Sequence, residues 1–184
     1  MEAFLVSTGI VAIAEIGDKT QLLALVLAAR YRRPLPIILG ILVATLLNHG
    51  LAGALGAWIR AALDPQVLRW ILALSFFAMA AWALRADEPG EEARFGERYG
   101  VFVVTLIAFF LVEIGDKTQI ATVALAARFD ALVSVVLGTT LGMLLANVPV
   151  VLLARQAAAR IPFRFIRALA ALLFAATGAM TLLA

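Results

Sequence analysis

The sequence EIGDKTQ at residues 15–21 decides the fold of this chain, because it recurs unchanged at residues 113–119. The two copies lie 98 residues apart, and the same offset aligns Phe76 with Phe174. Seven identical residues that include three charged side chains are not expected from composition alone. The chain is therefore predicted to be the duplication of a single unit.

The composition places this unit in a membrane. The chain has 184 residues, of which 64% are hydrophobic and 15% are charged, and its mean hydropathy is +1.03. A soluble domain is about half apolar and about a quarter charged. At about 20 residues for each spanning helix, the length allows about six helices with short loops. An extramembrane enzyme domain or nucleotide-binding domain is thereby excluded.

Six apolar segments are long enough to cross a bilayer, and in lipid such segments must be α-helical because no water is present to satisfy the backbone. They cover residues 3–29, 36–58, 68–84, 101–127, 132–154 and 163–183. The predicted fold class is therefore an all-α polytopic membrane protein with six transmembrane helices. Pro149 lies inside the fifth segment and is expected to kink it.

One polar stretch, at residues 85–99, separates the two copies of the unit. It predicts a first three-helix repeat at residues 1–84, a charged cytoplasmic linker at 85–99 and a second three-helix repeat at 100–184. Because three is an odd number of spans, the second repeat enters the membrane from the opposite side. The repeats are thus predicted to be inverted, as in many secondary transporters, with a site near the midplane between them.

The arginines predict the orientation of the chain in the membrane. Loops after the first, third and fifth spans hold ten arginines, namely Arg30, Arg32, Arg33, Arg85, Arg94, Arg98, Arg155, Arg160, Arg164 and Arg167. The opposite face holds three, namely Arg60, Arg69 and Arg128. Basic residues favour the cytoplasmic side. The ten-arginine side is therefore predicted to be cytoplasmic, with both termini outside the cytoplasm of a multi-pass inner (cytoplasmic) membrane protein.

Each copy of the motif places three ionisable side chains inside a span, where each costs about 2.5–3.5 kcal/mol. These residues are Glu15, Asp18 and Lys19 in the first copy and Glu113, Asp116 and Lys117 in the second. Glutamate and aspartate three residues apart share one face of a helix. Gly17 and Gly115 allow either close helix approach or a local break. A purely structural alternative, ion pairs between glutamate and lysine four residues on, leaves both aspartates unexplained.

The inverted repeat can bring these faces together as an all-oxygen site of four carboxylates, which suits a hard divalent cation such as Ca²⁺, Mn²⁺ or Mg²⁺. The chain has no cysteine and one histidine, which excludes thiolate and multi-histidine sites within one chain. Clustered carboxylates can also take up protons when a metal leaves. The expected partners are a divalent metal ion, protons and the bilayer. No prosthetic group is expected, and the net charge of +3 does not favour nucleic acid.

Other polar residues inside the spans are weaker signals. Asn48 and His49 lie in the second segment and Asn147 in the fifth, where the 98-residue offset matches Asn147 to His49. Each can line an ion path or hydrogen-bond a neighbouring helix, and for His49 the structural role is favoured. Trp58, Trp70 and Trp82 lie near segment ends, as interface anchors do.

Two intramembrane copies of Glu-x-Gly-Asp-Lys-Thr in a duplicated six-helix chain resemble the Gdt-type cation/proton exchanger family, which includes MneA-like bacterial manganese exporters and Golgi manganese/calcium transporters. The resemblance covers essentially the whole chain, and both motif copies match at every position. It implies Mn²⁺, with Ca²⁺ second, as substrate, H⁺ as counter-ion and export from a prokaryotic cytoplasm. It also implies a cation site built from the motif residues Glu15, Asp18, Glu113 and Asp116, with Thr20, Gln21, Thr118 and Gln119 nearby.

Three functions are compatible with an acidic site inside a membrane protein. A divalent cation/H⁺ antiporter fits an inverted repeat within one chain. A passive cation channel is the alternative, although a pore usually needs several subunits around one axis. An intramembrane hydrolase is disfavoured because acid and base roles need different environments, whereas the two motif copies are identical. The metal preference, stoichiometry, oligomeric state and roles of Lys19, Lys117 and His49 stay open.

The predicted orientation can be tested by chemical labelling in this cysteine-free background. Single cysteines replacing Glu91 and Ala184 are expected to react with a membrane-impermeant maleimide from opposite sides of the membrane, because the arginine asymmetry places them there. Labelling of both positions from the same side contradicts the inverted six-span arrangement.

Overall fold

The computed structural model describes residues 1–84, 100–153 and 163–183, and this part of the chain contains helices and no strand. The helices are α1 (Glu2–Glu15), α2 (Lys19–Tyr31), α3 (Pro34–Ala62), α4 (Pro65–Ala83), α5 (Val101–Glu113), α6 (Lys117–Arg128), α7 (Leu132–Leu152) and α8 (Phe163–Leu183). The predicted linker at 85–99 lies outside the described residues, as do Arg155 and Arg160.

Two of the six predicted segments are broken in the middle. Residues 3–29 form α1 and α2, and residues 101–127 form α5 and α6, whereas the other four segments are single helices. The breaks fall at Gly17, with φ of +86°, and at Gly115, with φ of +75°. Side chains with a Cβ rarely adopt this left-handed backbone. Of the two roles open to these glycines, the structure shows the local break.

The duplication seen in the sequence is also a duplication of helix boundaries. Each helix of the second half starts or ends 98 residues after its counterpart, as the pairs Glu15 and Glu113, Lys19 and Lys117, Pro34 and Leu132, and Pro65 and Phe163 show. The packing repeats in the same way. The contact of α1 with α7 has its counterpart in the contact of α5 with α3. The contact of α1 with α6 likewise corresponds to that of α5 with α2. The two halves are therefore interleaved.

A close helix approach occurs at two glycines that are related by the same offset. A Cβ on Gly138 of α7 would lie 2.5 Å from the carbonyl oxygen of Phe4 in α1. A Cβ on Gly40 of α3 would lie 2.9 Å from the carbonyl oxygen of Phe102 in α5. Glycine at these two positions lets the backbones of neighbouring helices touch, as is common for helix pairs in membranes.

The distribution of polarity is that of a membrane protein, with apolar side chains outside and charges inside. Large apolar residues such as Leu47, Leu51 and Leu55 of α3 are exposed, whereas Glu15 and Glu113 are fully buried. Within the described residues, α3, α4 and α7 each have the length and apolar composition needed to cross a membrane. Helix α7 continues past Pro149 to Leu152, and the kink expected there stays a prediction.

The glycine contact between α1 and α7 yields a test of this packing. Gly138→Ala is expected to lower the free energy of unfolding by about 1–3 kcal/mol, because the added methyl group meets backbone atoms that cannot move aside. Gly9→Ala is the matched control, since its Cβ would meet nothing within 4 Å. Thermal unfolding in detergent measures both variants. Equal melting temperatures for the two variants contradict the close approach.

Candidate metal centre

The two motif copies form the broken points of the structure, and each aspartate begins a new helix. Asp18 is the N-cap residue of α2, and one of its carboxylate oxygens accepts a hydrogen bond from the backbone N–H of Lys19 at 2.7 Å. Asp116 holds the N-cap position of α6. Aspartate is a favoured N-cap, and the helix N-terminus carries partial positive charge that stabilises a carboxylate. Both aspartates are therefore fixed at half-helix ends inside the protein.

The glutamine that ends each motif holds the break in place. The side-chain oxygen of Gln21 accepts a hydrogen bond from the backbone N–H of Gly17 at 2.9 Å, and Gln119 does the same for Gly115 at 2.7 Å. The amide nitrogen of Gln21 also donates to the carbonyl oxygen of Ala146 in α7 at 3.0 Å. An interrupted helix leaves backbone groups unpaired, and these glutamines satisfy one such group in each half.

Three of the four predicted carboxylates converge on one point. Glu15, Asp18 and Asp116 each offer a carboxylate oxygen, and these oxygens all lie within 4.8 Å of one another. All three residues are buried, with exposed fractions of 0%, 0% and 2%. Glu15 and Asp18 meet although they do not share one continuous helix, because the break brings the end of α1 beside the start of α2. The cluster draws residues from both halves of the chain.

Two reciprocal ion pairs connect the halves at this cluster. The ammonium nitrogen of Lys19 lies 3.2 Å from Oδ1 of Asp116, and that of Lys117 lies 3.0 Å from Oδ2 of Asp18. Each lysine thus pairs with the aspartate of the other motif copy. Glu15 and Lys19 do not lie on one continuous helix, because Glu15 ends α1 and Lys19 begins α2.

Glu113 is not one of the three converging carboxylates and has a partner of its own. His49 of α3 places Nε2 at 2.8 Å from Oε1 of Glu113, and both side chains are fully buried. Asn48 donates to Oε2 of Glu113 at 3.4 Å and to the carbonyl oxygen of Phe110 at 3.0 Å. The counterpart of His49, Asn147, instead donates to the carbonyl oxygen of Met143 on its own helix at 3.1 Å. The two glutamates therefore have different surroundings.

The two motif threonines also form different hydrogen bonds in the two halves. The hydroxyl of Thr20 donates a short hydrogen bond to Oε2 of Glu15. The hydroxyl of Thr118 lies 3.5 Å from Oδ2 of Asp116 and is directed to the aspartate rather than to Glu113. The other oxygen of Glu15, Oε1, is buried with no hydrogen-bond partner among the described residues. An unsatisfied carboxylate oxygen inside a protein is costly unless a proton or cation joins it.

The structure therefore places the eight predicted site residues in three groups. The cluster proper holds Glu15, Asp18 and Asp116, with Thr20 and Thr118 bonded to it, and Gln21 and Gln119 close the breaks. Glu113 pairs with His49. The sequence did not predict this partnership of Glu113, although the 98-residue offset places His49, a titratable residue, where the second half has Asn147.

Chemically, the cluster is suited to a hard divalent cation. Its donors are carboxylate oxygens with hydroxyl oxygens close by, which Ca²⁺, Mn²⁺ and Mg²⁺ accept and softer metals do not prefer. The two lysine ammonium groups neutralise part of its negative charge. These features define a membrane protein with an acidic, cation-accepting centre enclosed between its two halves.

Comparison with known proteins agrees with this class. The chain matches the family described as "Divalent cation/proton antiporter GDT1" over residues 3–91 and 101–184. It is 53% identical, over 95% of its own length and 87% of the relative's, to a Vibrio cholerae serotype O1 protein described as "Putative manganese exporter". It is 28% identical to a GDT1-like protein of Synechocystis, over 95% of this chain and 93% of the relative. No solved structure matches the chain.

The protein is thus a membrane transporter of divalent cations and not an enzyme. It belongs to the GDT1 family of divalent cation/proton antiporters.

The cluster can be tested by cation binding. Asp18→Asn and Asp116→Asn are expected to weaken the Mn²⁺-dependent rise in melting temperature of the detergent-solubilised protein. The apparent affinity should fall at least about tenfold, because an amide keeps the size but loses the charge that a divalent ion requires.

Asp64→Asn is the matched control, since Asp64 caps α4 through the backbone N–H groups of Gln66 and Val67, and asparagine caps equally well. Unchanged Mn²⁺ stabilisation in both motif variants contradicts the assignment of the cluster as the cation site.

Proposed function

We propose that the protein is a secondary active transporter that exports a divalent cation from the cytoplasm in exchange for H⁺, with Mn²⁺ as the preferred substrate and Ca²⁺ second. The observation that carries this proposal is the buried cluster of Glu15, Asp18 and Asp116, which is assembled from both halves of the chain at two helix breaks. Discontinuous helices that meet near the middle of the membrane are the usual ion site of transporters built from inverted repeats.

The proposed membrane arrangement has six spans in two inverted three-helix repeats. Helices α1 and α2 together make the first span and α5 and α6 together make the fourth, so that each break lies at the depth of the bilayer centre. Irregular backbone at this depth is tolerated only where protein or a cavity encloses it. The burial of Glu15 and Asp116 and the glutamine caps on both breaks support this arrangement.

In the cation-free state the lysines serve as built-in counter-cations. Lys19 and Lys117 neutralise the aspartates of the opposite repeat, so that the cluster is not left as an uncompensated buried charge, which is costly. An arriving divalent cation competes for the same carboxylate oxygens and displaces the ammonium groups. Because each lysine bridges the two repeats, its release loosens one repeat relative to the other, as alternating access requires.

Protons can replace the metal on the same carboxylates. Three acidic groups packed together in a low-dielectric interior repel one another when no cation is bound. Uptake of protons from the outer side relieves this repulsion and returns the carrier without metal. One cluster with two competing ligands is the minimal requirement for exchange, and the Glu113–His49 pair provides a second acidic group beside it.

The alternative function is a passive divalent-cation channel. The reciprocal ion pairs disfavour it, because they close the space between the repeats rather than line an open path. The preference for Mn²⁺ over Ca²⁺ rests on the relative described as a manganese exporter, since oxygen ligands alone accept both ions.

The charge balance of the motif predicts near-electroneutral exchange. If all motif side chains are ionised, four carboxylates and two lysines leave a net charge of −2. One divalent cation or two protons neutralise it, and an uncompensated charge would instead feel the membrane potential, about 2.3 kcal/mol per 100 mV. A Mn²⁺ gradient across proteoliposomes is therefore expected to drive about two protons the other way for each Mn²⁺.

The measurement uses a pH dye inside the vesicles and a membrane potential set by valinomycin. The rate should change little with voltage in the wild-type protein, and Asp18→Asn should abolish both fluxes together. Strong voltage dependence contradicts this charge balance but not exchange itself. Mn²⁺ flux that moves no protons and no other cation supports the channel instead.

A further inference from the structure

A second polar feature lies at one end of the bundle, away from the carboxylate cluster. The C-terminal ends of α3, α6 and α8 and the first turns of α4 enclose a cavity of about 430 Å³. Its lining includes three arginines, a hydroxyl and an apolar wall, namely Arg60, Arg69, Arg128, Thr181, Leu68 and Leu72. These arginines are the three that the sequence placed together on the less basic face of the protein.

The cavity concentrates more positive than negative charge. No carboxylate is among its lining residues in the described part of the chain. The nearest acidic partner of Arg60 is Asp130, whose Oδ1 lies 3.9 Å from Nε and whose side chain is 90% exposed. An ion pair of this kind is worth little. Arg128 in turn interacts electrostatically with Glu2 of α1. Three guanidinium groups are therefore opposed by two carboxylates, neither of which lines the cavity.

Hydrogen-bonding capacity also remains at the cavity. Arg60 uses Nη1 to donate to the carbonyl oxygens of Ala127 and Arg128, at 3.1 and 2.9 Å, and so caps the C-terminus of α6. The Nε atom of Arg69 is buried and has no hydrogen-bond partner among the described residues. A buried donor on a charged group calls for an acceptor, and the most suitable acceptor for guanidinium forks is an oxyanion.

This cavity is not an extension of the cation pathway. Its three positive charges repel a divalent metal ion, and none of the motif residues lines it. An anion, in contrast, gains from every one of these groups. The cavity is therefore suited to a ligand different from the transported cation, in a role separate from the proposed transport function.

We propose that this cavity binds a phosphate-type oxyanion, of the chemistry carried by the headgroup of an anionic phospholipid. The guanidinium groups of Arg60, Arg69 and Arg128 face the phosphate, and Leu68 and Leu72, one turn apart on α4, provide an apolar wall for the adjoining glycerol and acyl chain. A soluble phosphate offers the same oxyanion without the apolar part.

The surroundings of the cavity favour the lipid as the source. Trp58, two residues before Arg60, and Trp70, next to Arg69, are exposed, with exposed fractions of 66% and 52%. Exposed tryptophans at helix ends lie at the level of lipid headgroups. A phosphate at this depth is therefore available from the bilayer itself, and basic pockets between transmembrane helices bind such headgroups.

The bound anion would connect the two halves of the chain. Helices α3 and α4 belong to the first half and α6 and α8 to the second, and α3 and α4 both contact α6. An anion held by Arg60, Arg69 and Arg128 thus bridges the halves at the end of the bundle, where their like charges otherwise repel. Its binding stabilises the described arrangement of these helices.

Native mass spectrometry of the full-length protein in detergent tests the proposal. The probes are phosphatidylglycerol, phosphatidylcholine and inorganic phosphate, titrated separately. Saturable binding of one phosphatidylglycerol is expected, tighter than that of phosphatidylcholine, whose choline offsets the phosphate charge. Arg69→Gln should weaken it at least about tenfold, as loss of a charge-assisted hydrogen bond does.

Arg30→Gln is the matched control, because Arg30 lies in the last turn of α2, where its guanidinium rests over the ring of Tyr31. If Arg69→Gln fails to fold, as shown by loss of Mn²⁺ stabilisation, Arg128→Gln provides the same comparison. Saturable binding of inorganic phosphate that displaces phosphatidylglycerol supports the site with soluble phosphate as its ligand, provided that Arg69→Gln or Arg128→Gln weakens this binding. Absence of saturable binding by any probe, or an equal loss in Arg30→Gln, overturns the proposal.

Discussion

Two reciprocal ion pairs, between Lys19 and Asp116 and between Lys117 and Asp18, connect the two halves of the chain at their helix breaks. Each ionised group in a membrane interior costs about 2.5–3.5 kcal/mol on insertion scales, and each aspartate is paired with the lysine of the other motif copy. Since each half supplies the counter-charge of the other, the halves must meet at their breaks. The interleaved packing, the paired glycine contacts and the convergence of Glu15 with both aspartates all follow from that requirement.

Much of this arrangement could be predicted from the sequence, because lipid restricts the possible structures so strongly. Apolar segments can only be helices there, and an exact repeat of seven residues fixes how they are related. The segment predicted at residues 36–58 is helix α3, Pro34–Ala62, and the carboxylates from the two copies do approach one another. The glycine in each motif left two possibilities, close approach or a break, and the glutamine four residues later is the signal that favours the break, since it caps the freed N–H.

The remainder could not be predicted because it depends on contacts between distant segments. Glu15 and Glu113 hold equivalent positions in the repeat, yet Glu113 pairs with His49. Asn147, the counterpart of His49, instead donates a hydrogen bond to its own helix. The pairing of each lysine with the opposite aspartate was likewise hidden, since a continuous helix would bring Lys19 beside Glu15. The arginine cavity could not be predicted either, because it is formed where the ends of four helices come together. In each case the outcome is set by which helix faces which.

The position of the bound cation can be determined by anomalous X-ray scattering at the manganese edge, from crystals grown with Mn²⁺. Assignment of the cluster as the cation site predicts one strong peak among the carboxylate oxygens of Glu15, Asp18 and Asp116, with the ammonium groups of Lys19 and Lys117 moved away from the aspartates. A peak elsewhere in the membrane region, or a metal-loaded protein in which both lysine–aspartate pairs remain intact beside an empty cluster, contradicts it.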